Sequence, residues 1–173
     1  MKRTADIREI LRPLKDTPNQ AYLSNAVQVA DVLDWILSQV GISEIWQTSF
    51  SISEEFLRRI YFICRAGKIR RISLVLDHKA TNKTLKLWAF ISQVVERTFL
   101  ADNHSKILLV KSEHGDTVSV VTSQNLTRGN RAESAFISTD PTIFAILFAQ
   151  VDDLITNHSV PLNDLFSKRI TAD

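Results

Sequence analysis

Apolar residues recur along the chain with two periods, one helical and one of extended backbone. Across residues 19–40, Leu23, Ala26, Val27, Ala30, Leu33, Leu37 and Val40 keep the three- and four-residue spacing of one helical face, and Gly41 ends the run as a C-cap. Residues 42–50 are short, β-branched and aromatic, and predict a strand. Ser51 with Glu54 three positions on predicts a capping-box helix start; that helix reaches about Ala66 and stops at Gly67. Residues 69–76 (IRRISLVL) predict a buried strand that ends at Asp77. Leu85, Trp88, Ile91 and Val95 share one face of a helix predicted over 81–97. Residues 105–110 and 117–122 predict two strands joined by the turn SEHGD, and 133–138 a further strand. Asp140-Pro141 then opens a helix, with an acidic N-cap and proline in the first turn, that reaches about Asn157.

Helices interleaved with strands and followed by a hairpin predict an α/β fold, a mixed β-sheet flanked by helices on both faces. The expected organisation is an N-terminal arm or short helix at 1–18 and one domain over 19–173, with no internal repeat. Composition changes this picture little: 45% hydrophobic and 23% charged residues are ordinary for a globular chain, and four Gly and four Pro leave little room for linkers. A net charge of +2 neither demands nor excludes an anionic partner, so local clustering must decide. Cys64 is the one cysteine and sits in an apolar run, which predicts a buried, unreactive thiol and excludes an internal disulfide. Without a Cys cluster or an HxxxH pair, no zinc site is expected. The first sixteen residues mix both charges with no apolar core, and no run nears the ~18 residues of a membrane span; the expectation is a soluble, cytoplasmic protein.

The candidate chemistry starts at His104. In extended backbone, residues two apart point the same way, so His104 and Lys106 are expected to share a side, as are Ser123 and Asn125. The hairpin brings the two pairs to one region of one sheet, and Glu133 opens the next strand. That set suits a phosphodiester. An imidazole can attack phosphorus and form a phosphohistidine. Lys106 and Asn125 can stabilise the non-bridging oxygens, Ser123 can donate a further hydrogen bond, and Glu133 can fix a histidine's tautomer through its other nitrogen. Lys106 supplies the positive charge, so neither a metal nor another cofactor is called for.

"HSKILLV" followed by "VVTSQNL" resembles the signature of the phospholipase D superfamily: His, any residue, Lys, four residues and Asp, and later Gly-Ser-x-Asn. The resemblance covers about residues 21–157 and implies that superfamily's half-molecule fold. The sequence departs from the signature twice, with Lys111 at the Asp position and Thr122 at the Gly position. The chain carries one HxK, whereas the chemistry needs one imidazole to attack and another to protonate the leaving oxygen. His78, His114 and His158 lie in contexts that do not supply the second. Single-motif members form two-fold homodimers, so the resemblance implies a homodimer whose sheets meet along the His104 edge.

It also implies a nuclease-like phosphodiester hydrolase acting on DNA or RNA. Arg128 and Arg131, flanking the SxN segment, are the candidate substrate-binding residues. Arg58, Arg59, Lys68, Arg70 and Arg71 form a second basic cluster, read as a solvated face. Trp35, Trp46 and Trp88 fit apolar patterns and are read as core rather than base-stacking residues. Two other readings stay open: a catalytically inactive nucleic-acid-binding or scaffold module, and a lipid phosphodiesterase.

Overall fold

A computed structural model describes residues 6–164. Its centre is an eight-stranded sheet in the order β1-β7-β6-β5-β2-β3-β4-β8, with β1 Asn19–Ser24, β2 Ser43–Ser49, β3 Ile69–Asp77, β4 Arg97–Ala101, β5 Ile107–Ser112, β6 Thr117–Thr122, β7 Glu133–Ser138 and β8 Ser159–Pro161. β2, β3 and β4 are parallel and joined through helices; every other neighbouring pair is antiparallel, so the sheet is mixed. Helices α1 Val29–Val40, α2 Glu54–Arg65, α3 Thr81–Lys86 and α4 Trp88–Val94 precede α5 Pro141–Asn157.

Two apolar layers hold the sheet. Leu33, Ile36, Leu57, Ile60 and Ile91 meet Leu74, Leu76, Leu108 and Val110 on one face. On the other, Phe144, Val151 and Ile155 of α5 meet Val75, Ala101 and Leu109. Burial alternates along β5 and β3 between these layers, which is why their central residues are apolar on both sides. The α/β expectation, with helices on both faces, therefore holds.

The strands 117–122 and 133–138 and the helix opened by Asp140 stand where the pattern puts them, with the Asp140 carboxylate accepting from Thr142 N at 2.8 Å. Other boundaries move. The helix expected from residue 19 begins only at Val29, because 19–24 pair antiparallel with β7, Tyr22 opposite Ala135. Pairing along a sheet edge outweighs a helical spacing to which the exposed Leu23 contributes. The cap of α2 is Ser53, whose hydroxyl accepts from Phe56 N, and not Ser51. The helix expected over 81–97 breaks at Leu87 and ends at Val94, leaving 97–101 as a strand with Thr98 and Leu100 buried. β8 had no sequence signal beyond its brevity. At the N-terminus, Ile7–Glu9 form a single 3-10 turn, and Leu11 and Leu14 are buried in the main core.

Leu108→Ala empties a fully buried position of the central strand β5, and urea unfolding is expected to show a loss of about 2–5 kcal/mol. Ile146→Ala, on the exposed side of α5, is expected to stay within about 0.5 kcal/mol of the parent.

Candidate active site

The hairpin β5–β6 sets the geometry. Its register pairs Ile107 with Val121, and one step beyond, Thr122 N donates to Lys106 O at 3.0 Å. The residues after β6 are thereby held beside those before β5. His104 and Lys106 lie just outside the strand, not within it as the alternation suggested, yet their side chains still meet: Lys106 Nζ is 3.3 Å from His104 Nδ1 and donates to His104 O at 2.8 Å. An ammonium only donates, so Nδ1 acts as acceptor in this contact.

Phe50, at the end of β2, joins the two motifs. Its ring lies 5.4 Å from the exposed His104 ring, and its backbone N–H donates to Asn125 Oδ1 at 3.2 Å. Ser49 Oγ approaches the same oxygen at 3.3 Å. With Oδ1 so engaged, the NH₂ is the donating end of Asn125.

Ser123 and Glu133 meet directly, the hydroxyl donating to the carboxylate, and Ser123 Oγ also accepts from Ser134 N at 3.1 Å. Within the chain Glu133 therefore holds Ser123, and its pairing with a histidine is not made. Tyr22 is paired opposite Ala135, two residues along β7 from Glu133. Burial pushes its phenol up to about 12, with the negative charges of Asp31 and Glu133 adding to the effect.

The basic residues separate into two groups. Arg58, Arg59, Lys68, Arg70 and Arg71 each face an acid, respectively Glu54, Asp31, Asp34, Glu113 and Glu44. That matches a solvated, charge-balanced face. Arg128 faces Glu55 at 3.2 Å and borders, with Asn125 and Thr127, a cleft that also touches Gln28 and Arg59; Arg131 is exposed. Trp35 is buried in the main core, Trp46 packs edge-on against Phe148 at 4.9 Å, and Trp88 Nε1 donates to Asn163 at 3.1 Å. Cys64 is half-buried, and burial raises its thiol.

No family model and no curated protein matches the sequence. Solved structures do. The chain is similar to NucT from Helicobacter pylori, at 13% identity and a TM-score of 0.63, over 83% of this chain and 98% of that one. It is similar to a phospholipase D family member, Nuc from Salmonella typhimurium, at 15% identity and a TM-score of 0.60, over 83% of this chain and 96% of that one. The chain has the phospholipase D fold. A third similar structure is TrmBL2, an archaeal chromatin protein whose structure shows a novel mode of DNA binding, at 10% identity and a TM-score of 0.54, over 82% of this chain and 53% of that one.

On the phospholipase D fold the two departures from the signature take a physical meaning. Lys111 lies at the far end of β5 from His104, exposed and opposite Glu44, so its reversed charge does not reach the site. Thr122 Oγ1 donates to Ser134 O at 2.8 Å and accepts from Gln124 N at 3.1 Å, so the hydroxyl shapes the turn that presents Ser123. Sequence reasoning missed Phe50, Thr48, Ser49, Asp77 and Asn103; the available hint, for the first three alone, was the small polar residues of TSFS at the end of the strand. Asp77, His78 and Asp102 bring donor atoms within 4.8 Å of one another. Both Asp77 oxygens accept backbone N–H groups, from Lys79 at 2.6 Å and Asn103 at 3.0 Å, so this carboxylate serves the strand-end turns.

The raised phenol of Tyr22 has a stability consequence. The folded state keeps this proton where the unfolded chain, titrating near 10, has lost it, so stability is expected to fall as pH rises from about 10 to about 12. Urea midpoints across that window check this, and Tyr22→Phe is expected to remove part of the slope.

Proposed function

We propose that the protein is a phosphodiester hydrolase that cuts DNA or RNA through a phosphohistidine, in a site built by two copies of the chain. The observation that carries this reading is the contact of Lys106 with His104, whose ring lies against Phe50, the residue whose N–H donates to Asn125. The likeness to Nuc and NucT supports it at the level of the fold.

An approaching phosphodiester offers Lys106 a better partner than a neutral imidazole and draws the ammonium toward its non-bridging oxygens. This releases the His104 ring. An imidazole nitrogen lone pair then attacks phosphorus, and the P–O bond to the leaving group breaks. The leaving oxygen takes a proton from the second imidazole, His104 of the other protomer. Water next attacks the phosphoramidate, giving its proton to that imidazole as the P–N bond breaks. Lys106 and the Asn125 amide stabilise the charge that grows on the equatorial oxygens. Glu133, through one carboxylate oxygen or by exchanging its Ser123 contact, fixes the tautomer of a histidine across the dimer. Arg128 and Arg131 hold flanking phosphates.

The surface supports a second copy as partner. Leu23 is 75% exposed, and Val121 and Phe136, opposite each other in register, are each 44% exposed. They share the sheet face of Ser123, beyond the part that α5 covers, and burying them offers apolar area for a self-complementary contact.

A second reading, a nucleic-acid-binding module without turnover, is favoured by the likeness to TrmBL2; the basic cluster, each member of which already faces an acid, adds nothing to it. Cleavage of single- or double-stranded DNA and RNA, and of bis(p-nitrophenyl) phosphate, in excess EDTA separates the two. The hydrolase reading predicts turnover that falls at least ~1,000-fold in His104→Ala and in Lys106→Ala, from a species of twice the protomer mass in sedimentation. Salt-sensitive DNA binding with no turnover of any diester would select the binding module, and turnover of a phosphatidyl substrate alone would select a lipid phosphodiesterase.

A further inference from the structure

Beneath the proposed site lies a buried polar chain that none of the expected site residues contains. The parallel strands β2, β3 and β4 end side by side, and in sheets of this kind the loops at the carboxyl ends build the ligand site. Each of these ends contributes polar groups. Thr48 and Ser49 on β2 are fully buried, Asp77 on β3 is 2% exposed, and Asn103, two residues past β4, is 4% exposed.

Their bonds run in sequence. Asp77 Oδ2 accepts Asn103 N at 3.0 Å while Oδ1 accepts Lys79 N at 2.6 Å. Asn103 Oδ1 accepts both Ser105 N, at 3.0 Å, and Ser105 Oγ, at 2.5 Å, and so clamps the residues on either side of His104. Thr48 Oγ1 completes that clamp, 2.8 Å from Ser105 Oγ and accepting Ile107 N at 2.9 Å. In the other direction Asn103 Nδ2 donates to Ser49 O at 3.3 Å; Ser49 Oγ accepts Leu126 N at 3.1 Å, and its single proton lies between Ser51 O at 2.8 Å and Asn125 Oδ1 at 3.3 Å.

We infer that Asp77 and Asn103 are positioning residues, which lock the HxK loop and the Asn125 amide into one rigid frame through the ends of the parallel strands. This rests on the phosphodiesterase reading for its kinetic consequence, though not for its geometric one. The reason is energetic. His104 and Lys106 stand outside the ladder of β5, so the sheet alone does not fix their backbone; buried and fully paired hydrogen bonds do. Unpaired buried acceptors are costly, which keeps the chain closed. The Asp77 carboxylate accepts two backbone donors at once. An amide in its place accepts one and sets an N–H against the other. Asn103 needs both ends of its amide, one to accept from Ser105 and one to donate to Ser49.

The variants Asp77→Asn and Asn103→Asp test this in the dimeric protein, with Ser105→Ala as a milder third should either of the first two fail to fold. Rates on bis(p-nitrophenyl) phosphate are expected to show kcat lowered about 100-fold with KM within about twofold, since misplacement of a reacting group by about an ångström has that effect. Histidine ring NMR provides a readout that needs no turnover: the His104 resonances are expected to shift or broaden, while those of His114 and His158 stay in place. Variants that fold, turn over like the parent and leave the His104 signals unmoved would overturn the inference. A parent protein without turnover would count against the phosphodiesterase reading, and the NMR comparison would still decide the positioning role: displaced His104 signals uphold it and unmoved ones overturn it.

Discussion

The site depends on the register of one hairpin. Ile107 opposite Val121 fixes Lys106 opposite Thr122, and from there the HxK and SxN segments leave the sheet side by side. A slip of one residue would turn Leu108, Val110, Val118 and Val120 out of the main core, so the apolar pattern of two strands enforces the placement of the polar groups at their ends. The chemistry is thus held in place by burial some way from it. Gly115, in the left-handed region at φ 94°, closes the turn at the opposite end.

A second constraint acts from the parallel side of the sheet. Strands β2, β3 and β4 end together, and at or just past these ends Thr48, Ser49, Asp77 and Asn103 are buried below His104. On the proposed reading, this division suits an anionic substrate. Lys106 and the His104 imidazole, the groups the proposed mechanism moves, are left accessible, whereas Thr48, Asp77 and Asn103 are buried and hydrogen-bonded. A lysine that donates to a histidine nitrogen and to a carbonyl has two partners it can exchange for phosphate oxygens without unfolding anything.

How far the sequence discloses this follows from the kind of signal each part carries. The hairpin, β7 and α5 are legible because alternation, a polar turn and an Asp-Pro cap all act locally. The first strand is not: Leu23 is apolar and exposed, and its spacing from Val27 and Ala30 imitates a helical face. β4 hides for a similar reason, as Val94 and Val95 continue the helical face into the strand that follows. His104, Lys106, Ser123, Asn125 and Glu133 could be picked out by residue type and order, and the structure gathers them at one sheet end. Glu133 spends its bond on Ser123, a choice only the fold reveals. The supporting residues Phe50, Thr48, Asp77 and Asn103 lie on separate strands and carry no shared local pattern, so only the strand order brings them together.

The chain carries one HxK pair, and the proposed mechanism stands on two copies completing one another. Subunit mixing tests this most directly. Parent protein is unfolded and refolded with increasing proportions of His104→Ala, and diester turnover is measured at constant total protein. Where each site needs His104 from both protomers, only parent–parent dimers act, so activity falls as the square of the parent fraction, to about a quarter at equal mixing. A linear fall, to about half, would show that each protomer works alone and would contradict the shared site.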